Sequence, residues 1–371
     1  MKKSFEKILA ILDFLIPKDK DLVVFGGNEM RGINGNVAEI IKSWPKKTKG
    51  KGLRAYVLSV SGEEFPGVET IDPRNLKGIF TILRAGTAVV SHVYGDLYWH
   101  SLYNGNRRRI INLWHGTPLK RIGPWRGWGK TTAMIAASKI ERLTLAGCLE
   151  QVRLEQIFVT GFPRSDKLFN DLQSLRQETL RKLGLRDDGQ KWLLYAPTYR
   201  KSSRLPHYIH RMPGFSYKSL YRFLEQQNAK LLVRPHVNYV FTDFPENDRI
   251  IFVPFTKIAE IEPLFALADL LITDYSSSIF EYLNLNRPIV AFVPDLEEYE
   301  KIPGLLFDYE TIFPGLITKT WKDLQKSIVE SLYSPSKYTS LREDRKKMFN
   351  EFTDGKSTER CIEIICDMSL K

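Results

Sequence analysis

Cysteine is scarce in this chain, with only Cys148, Cys361 and Cys366 among 371 residues. The count is odd and none stands in CxxC or metal-finger spacing, which excludes a disulfide framework and suits a reducing compartment. Long apolar runs are missing too: no stretch approaches the roughly 18 consecutive apolar residues of a membrane span, and no signal-peptide cleavage pattern appears. We therefore expect a cytoplasmic protein that does not cross a bilayer. No cluster of histidine, cysteine or carboxylate residues has metal-ligand spacing, so no resident metal is expected, and a divalent ion such as Mg2+ would arrive with substrate phosphates. Zinc-finger spacing, an RNA-recognition signature and a Gly-rich P-loop are absent as well, which argues against nucleic acid as partner.

What the chain does have is positive charge. Its 55 Lys and Arg outnumber 43 Asp and Glu, a formal net charge of +12, so the partner should be anionic. Between 107 and 130 stand seven basic residues, no acidic one, and Trp114, Trp125 and Trp128, a mixture that fits an anionic membrane surface. A second acid-free stretch, 191–223, carries Arg200, Lys201, Arg204, His207, His210, Arg211 and Lys218. Near the start, Phe5, Ile8, Leu9, Leu12, Leu15 and Ile16 repeat at helical spacing, with Lys7 and Asp13 off the stripe. That periodicity predicts an amphipathic helix, docked by its apolar stripe on the protein's own core rather than lying on a membrane.

The length suits two domains, and a hydrophobic fraction of 43% allows a core in each. Short β-rich runs at 22–25, 53–60, 88–91, 110–114, 133–137 and 157–160 alternate with helical stretches, as in a parallel sheet wrapped by helices. The alternation pauses over a charged helical stretch at 168–185 and a polar RDDGQ segment at 186–190. It resumes with runs at 192–195, 231–234, 250–253, 270–273 and 288–293. This predicts two doubly wound α/β domains, 1–186 and 187–344, with a charged helical segment at 345–371 returning to the first.

Ligands of open α/β sheets bind outside the carboxyl ends of the strands, and the chemically notable residues fall there. His115 ends an apolar run and is followed by Gly116 and Pro118. Thr198 and Arg200 follow a second strand, and His236 follows a third. Thr273 and Asp274 end a fourth, before Ser276, Ser277 and Ser278 at a predicted helix start. Unpaired N–H groups and the helix dipole make such a start a phosphate site, with serine hydroxyls as added donors. Glu281, one turn further, is placed either on ribose hydroxyls or at the surface.

In order along the chain stand LWHGTPLK at 113, VTGFPRSDKL at 159, YAPTYR at 195, RPH at 234, TDYSSSIFEY at 273, FDYETIFPG at 307 and DGKSTER at 354. Through these seven segments the chain resembles the CDP-glycerol glycerophosphotransferase family, which builds the poly(glycerol phosphate) of teichoic acids. The resemblance implies a GT-B type fold, two Rossmann-like domains facing an interdomain cleft, with CDP-glycerol held mainly by the second domain. It implies a peripheral enzyme on the cytoplasmic side of the cell membrane, acting on an undecaprenyl-diphosphate-linked saccharide acceptor. The layout, with a first strand near residue 22, is similar to the primase-type members.

On this reading an acceptor hydroxyl attacks the β-phosphorus of CDP-glycerol and CMP leaves. His115 is the expected base, since an imidazole with a pKa near ~6.5 is mostly neutral in the cytoplasm. The resemblance makes His236 the second functional histidine, on the donor phosphates. Thr198, Arg200, Arg234, Thr273, Asp274, Ser276, Ser277, Ser278 and Glu281 form the expected donor set. Lys120, Arg121, Trp125, Arg126, Trp128 and Lys130 are expected at the acceptor or the membrane. Asp354, Lys356 and Arg360 match the closing segment without an assigned role. The rivals are a CDP-ribitol transferase, a GT-B enzyme that moves a sugar from a nucleotide sugar, and a non-enzymatic protein that binds anionic surfaces.

Overall fold

The structure, a computed structural model, describes residues 2–30, 32–92, 94–102, 107–122, 131–198, 208–236 and 245–370. The chain divides into two compact units: Met1–Thr117 with Ile122–Asp166 and Glu351–Lys371, and Pro118–Arg121 with Lys167–Asn350.

In the first unit, strands β1 (Asp19–Phe25), β2 (Arg54–Leu58), β3 (Glu69–Ile71), β4 (Ala85–Val90), β5 (Arg109–Asn112), β6 (Ala133–Ala136) and β7 (Ile157–Val159) form one sheet in the order 3-2-1-4-5-6-7. Every pairing is parallel. A parallel sheet is covered on both faces, so its strands bury residues of both parities. Strand β1 shows this: Val23 and Phe25 enter one apolar cluster, Leu22 and Val24 the other. The first cluster is closed by Val37, Ile40, Ile41 and Trp44 of the helix Gly35–Lys47, and by Cys361, Ile362, Ile365 and Cys366 of the helix Ser357–Leu370.

The return of Glu351–Lys371 to the first unit is locked by a cap that joins two of the sequence segments. The buried Asp166 carboxylate accepts from Ser357 N at 2.9 Å and Thr358 N at 2.7 Å, the orphan donors of that helix. Burial raises the Asp166 pKa, against these hydrogen bonds. Arg360 pairs with Asp354 and lies 3.7 Å over the Phe352 ring, so both closing-segment residues are engaged in local structure.

The helix Lys2–Leu15 docks by only part of its expected stripe, with Leu9 in the core and Ile16 packed against it. Leu9 and Asp13 are buried, while Ile8, Ile11, Phe14 and Leu15 are each more than half exposed. The reason is electrostatic: Asp13 accepts from Arg108 Nη2 at 2.7 Å and Lys18 Nζ at 2.8 Å, and Glu6 accepts the Ser101 N–H at 2.8 Å. Removing one partner of a buried ion pair costs about 3–5 kcal/mol, enough to outweigh burial of one aliphatic side chain at about 1.5–3 kcal/mol. Arg108 therefore leaves the surface set of basic residues read from 107–130.

In the second unit, β8 (Lys191–Ala196), β9 (Ala229–Val233), β10 (Ile250–Phe252), β11 (Leu270–Thr273), β12 (Ile289–Phe292) and β13 (Leu316–Thr318) form an all-parallel sheet in the order 10-9-8-11-12-13. Its core joins Leu193, Leu231, Val233 and Ile272 to Leu220, Phe223 and Leu224 of the helix Tyr217–Gln226 and to Trp321, Leu324 and Ile328 of the helix Trp321–Tyr333. The charged helix Leu172–Leu183 belongs here, not to the first unit: Arg176 donates to the Leu267 carbonyl at 2.6 Å and Thr179 Oγ1 to that of Pro263 at 3.2 Å. The boundary thus falls after Asp166 rather than at 186. Pro118–Arg121 also crosses over, through a bridge between Lys120 and Leu305 and an Arg121 N–H donated to the Gly304 carbonyl at 3.1 Å. The helix Thr339–Phe349 stays with the second unit, so the returning segment is shorter than 345–371.

Candidate functional site

In each sheet the strand order reverses beside the first strand, between β1 and β4 and between β8 and β11, where open α/β sheets bind ligands. Each unit carries its own cluster of notable residues there.

In the first unit the loops after β1 and β4 are tied by Asp96, which is fully buried. Its carboxylate accepts from Ser91 N at 2.8 Å, His92 N at 2.7 Å and Glu29 N at 2.7 Å. The chain passes so close that a Cβ on Gly26 would lie 1.9 Å from the Asp96 carbonyl oxygen. Beyond it, Asn28, Glu29 and Met30 take φ of 49°, 51° and 64°, a run of left-handed residues that costs roughly 1–2 kcal/mol each.

His115 follows β5 in a turn that is fixed at every step. Asn112 Oδ1 accepts the Trp114 N–H at 2.8 Å, holding Trp114 at φ 48°, and the Trp114 indole donates to the Gly116 carbonyl at 2.8 Å. Asn36 Nδ2 donates to the Leu113 and Trp114 carbonyls at 2.8 and 3.1 Å. Arg164 donates to the His115 carbonyl at 3.0 Å. Glu141, fully buried, accepts from Ala137 N at 2.6 Å and Thr117 Oγ1 at 3.2 Å, anchoring the residues after the histidine. A bulky residue in left-handed backbone persists only when its surroundings impose it, and such strain concentrates at functional sites.

The His115 ring lies between Trp114, with centroids 4.4 Å apart, and His92, at 4.5 Å and 9° from parallel. Its pKa is driven well below the ordinary histidine value, first by burial, then by His92 and Arg164, with the Ser91 backbone acting in the opposite direction. Nδ1 is enclosed and has no hydrogen-bond partner among the described residues. Burial thus favours the neutral form of this imidazole.

In the second unit the Asp274 carboxylate accepts the Thr198 N–H at 2.9 and 3.1 Å from its two oxygens. Tyr309 OH donates to the Asp274 carbonyl at 2.8 Å, and Tyr275, stacked on Tyr299 at 3.7 Å, donates to Asp295 at 3.0 Å. Ser276, Ser277 and Ser278 do start a helix, but it is one turn long, Ser278–Tyr282, and the Ser278 hydroxyl donates to Ser276 Oγ at 2.8 Å. The dipole available to an anion is correspondingly small. His236 follows β9 and is itself exposed; partial desolvation comes first in lowering its pKa, followed by Lys120 and Arg234, while Asp274 opposes them.

Three donor-set expectations change on inspection. The Arg234 guanidinium is spent on the main chain, donating to the carbonyls of Val253, Ile258 and Ala259, so it ties the end of β9 to the segment after β10 rather than offering an open cation. Burial pulls its pKa to about 10, against Glu262. Thr273 Oγ1 is likewise committed, donating to the Ala196 carbonyl at 2.8 Å. Glu281 is 2% exposed, which removes it from the surface. Lys120 lies in the second unit, within electrostatic reach of His236, and Arg121 runs beside it. Trp125, Arg126, Trp128, Lys130 and Arg200 lie outside the described residues. Sequence reasoning passed over His92 and Asp96, although VVSHVYGD, a histidine directly after a buried strand, carries the same signal as His115.

The profile of the family described as CDP-glycerol:poly(glycerophosphate) glycerophosphotransferase matches residues 8–367. The teichoic acid poly(ribitol-phosphate) polymerase of Bacillus spizizenii is 30% identical over 95% of this chain and 57% of its own length. The teichoic acid poly(glycerol phosphate) polymerase of the same organism is 27% identical over 68% of each. The chain thus spans little more than half the length of the first of these relatives. Among solved structures, the wall teichoic acid polymerase TagF matches with a TM-score of 0.82 at 21% identity, over 100% of this chain and 94% of that one. The likeness places the two Rossmann-like units in a GT-B type fold.

Proposed function

Because the chain belongs to the CDP-glycerol:poly(glycerophosphate) glycerophosphotransferase family, we propose that it transfers glycerol phosphate from CDP-glycerol to a hydroxyl of an undecaprenyl-diphosphate-linked saccharide, releasing CMP. The observation that carries this reading is the buried, neutral His115 in its strained turn after β5. A bond forms between the acceptor oxygen and the β-phosphorus, the bond from that phosphorus to the CMP oxygen breaks, and its electron pair leaves with CMP. His115 takes the hydroxyl proton. His236 contacts the donor phosphates, with Lys120 within electrostatic reach of it, and the residues around Thr198 and Ser276–Ser278 present N–H and hydroxyl donors to the pyrophosphate. A Mg2+ ion would be held by the donor pyrophosphate and would offset its charge, and stepwise return of Mg2+ after EDTA treatment tests that.

The test is CMP release from CDP-glycerol with a lipid-linked disaccharide analogue. Release by wild type, lost in His115→Ala, supports the reading. Intact CDP-glycerol alongside consumed UDP-hexose overturns it. A second reading has its own support: the 30% identical relative carries a ribitol-phosphate name. Side-by-side kinetics with CDP-ribitol decide between the two donors.

We also propose that the enzyme works against an anionic lipid surface, on the cytoplasmic face of the membrane. No helix among the described residues is long and apolar enough to cross a membrane. The support is the outward stripe Ile8, Ile11, Phe14 and Leu15, continued by Leu76 and Phe80 of the helix Leu76–Arg84 and edged by Lys7 and Arg107, whose guanidinium sits 5.1 Å from the Phe14 ring centre. Apolar stripes with basic edges lie in the interface of anionic bilayers. Flotation with phosphatidylglycerol vesicles should be lost when Ile8, Ile11 and Leu15 become serine. Flotation equal to wild type, or equal on phosphatidylcholine, overturns this.

A further inference from the structure

Two imidazoles stacked face to face are an unusual arrangement to leave without a use. The rings of His92 and His115 are 4.5 Å apart and 9° from parallel. Like charges at that distance repel strongly where burial limits screening, so the pair cannot readily hold two protons. His92 is also held more firmly than packing alone requires. Its Nδ1 lies 2.7 Å from Ser91 Oγ, and its backbone N–H and that of Ser91 both donate to Asp96. Ser91 Oγ in turn stands 3.3 Å from the same carboxylate. Asn112 joins the two histidines from the other side, donating to the His92 carbonyl at 3.1 Å while accepting the Trp114 N–H.

The charges facing this pair are unequal. On the His115 side stand the Arg164 cation and the Trp114 face, while Glu141, which anchors the residues after the histidine, accepts from Ala137 N and Thr117 Oγ1. On the His92 side stand Ser91 Oγ and, through it, the Asp96 carboxylate, with the Glu29 N–H on its second oxygen. A proton shared by the pair is therefore favoured on His92.

We propose that His92 is a positioning residue for the transfer reaction: the stacked pair accepts one proton, His92 carries it, and His115 is thereby left as the proton acceptor. This rests on the reading of His115 as the base. Face-to-face rings present no N–H to one another, so His92 acts through charge and orientation, not by passing a proton to His115.

The experiment is a pH titration of the full chain, labelled at histidine Cε1 and followed by NMR, beside the pH profile of kcat/KM. In wild type, the His92 and His115 resonances should share midpoints, as coupled sites do. Two independent single-site curves would overturn the proposal without any variant. In His92→Phe, which keeps a stacked ring but no titratable nitrogen, the His115 midpoint and the acid limb of kcat/KM should both move up by about one pH unit. The loss relative to wild type then deepens to about tenfold on the acid side and shrinks as pH rises. A loss of the same size at every pH would mark His92 as merely structural and overturn the proposal. If the His115 resonance moves while kcat/KM shows no acid limb in wild type, the coupling stands and the base assignment fails.

Discussion

The two units solve the same problem at the same place with different degrees of freedom. Each sheet reverses beside its first strand, and each ties the loops there with a buried aspartate that accepts backbone N–H groups: Asp96 in the first unit, Asp274 in the second. What stands on those frames differs. His115 is buried against the Trp114 and His92 rings after a left-handed Trp114, while His236 is exposed, two residues after an Arg234 whose guanidinium is bonded to the carbonyls of 253–259. A group that must hold one protonation state benefits from enclosure and strain. On the proposed reading, a histidine that meets a departing and returning nucleotide has to stay accessible.

Replacing the two histidines is the severest way to break this comparison. His115→Ala should lower kcat by about 100-fold or more with KM for the donor little changed, whereas His236→Ala should also raise that KM. Steady-state CMP release separates them, and matching KM effects would erase the contrast. Next comes the backbone frame. Gly26→Ala, whose Cβ has no room beside the Asp96 carbonyl, should destabilise the first unit by about 3 kcal/mol or more in urea unfolding.

Removing the carboxylates is gentler but more informative. Asp96→Ala should cost about 2–4 kcal/mol and Asp274→Ala about 1–3 kcal/mol, because among the described residues the first leaves the Ser91, His92 and Glu29 N–H donors unpaired and the second at least that of Thr198. Equal losses would count against the two frames being built differently.

The pH dependence of stability is a finer probe. Since the folded protein holds His115 below its unfolded value, its contribution is whole above about pH 6.5 and is lost as pH falls toward the folded pKa. Unfolding midpoints should therefore drop between about pH 7 and 5 in wild type, and less so in His115→Phe. The smallest effect is expected from Lys120→Met, which removes a charge that depresses the His236 pKa. The His236 resonance should titrate at slightly higher pH, and His115 should not respond.

Much of this was legible from the sequence because it depends on local pattern. The aliphatic runs marked the longer strands, and the strand-end rule placed His115, Thr198, His236 and Thr273 where the structure has them. The short edge strands β3 and β13 went unread: Glu69–Ile71 and Leu316–Thr318 each carry a polar residue, whereas the equally short β7 and β10 are apolar throughout. The seating of the Lys2–Leu15 helix was misread for another reason. Its buried face is chosen by Arg108, ninety-five residues from Asp13, and no local pattern encodes that partner. The same holds for Arg234: a basic residue looks like an open cation in sequence, and only the carbonyls around it show that its donors are taken.

The helix Ser357–Leu370 closes the core of the first unit. During synthesis on the ribosome, that unit emerges with an open apolar groove along Ile40, Ile41 and Trp44, and it must wait for the entire second unit to be translated before the groove is filled. Chaperone demand should fall in that interval, and ribosome-bound chains stalled before residue 351 should be the protease-sensitive ones.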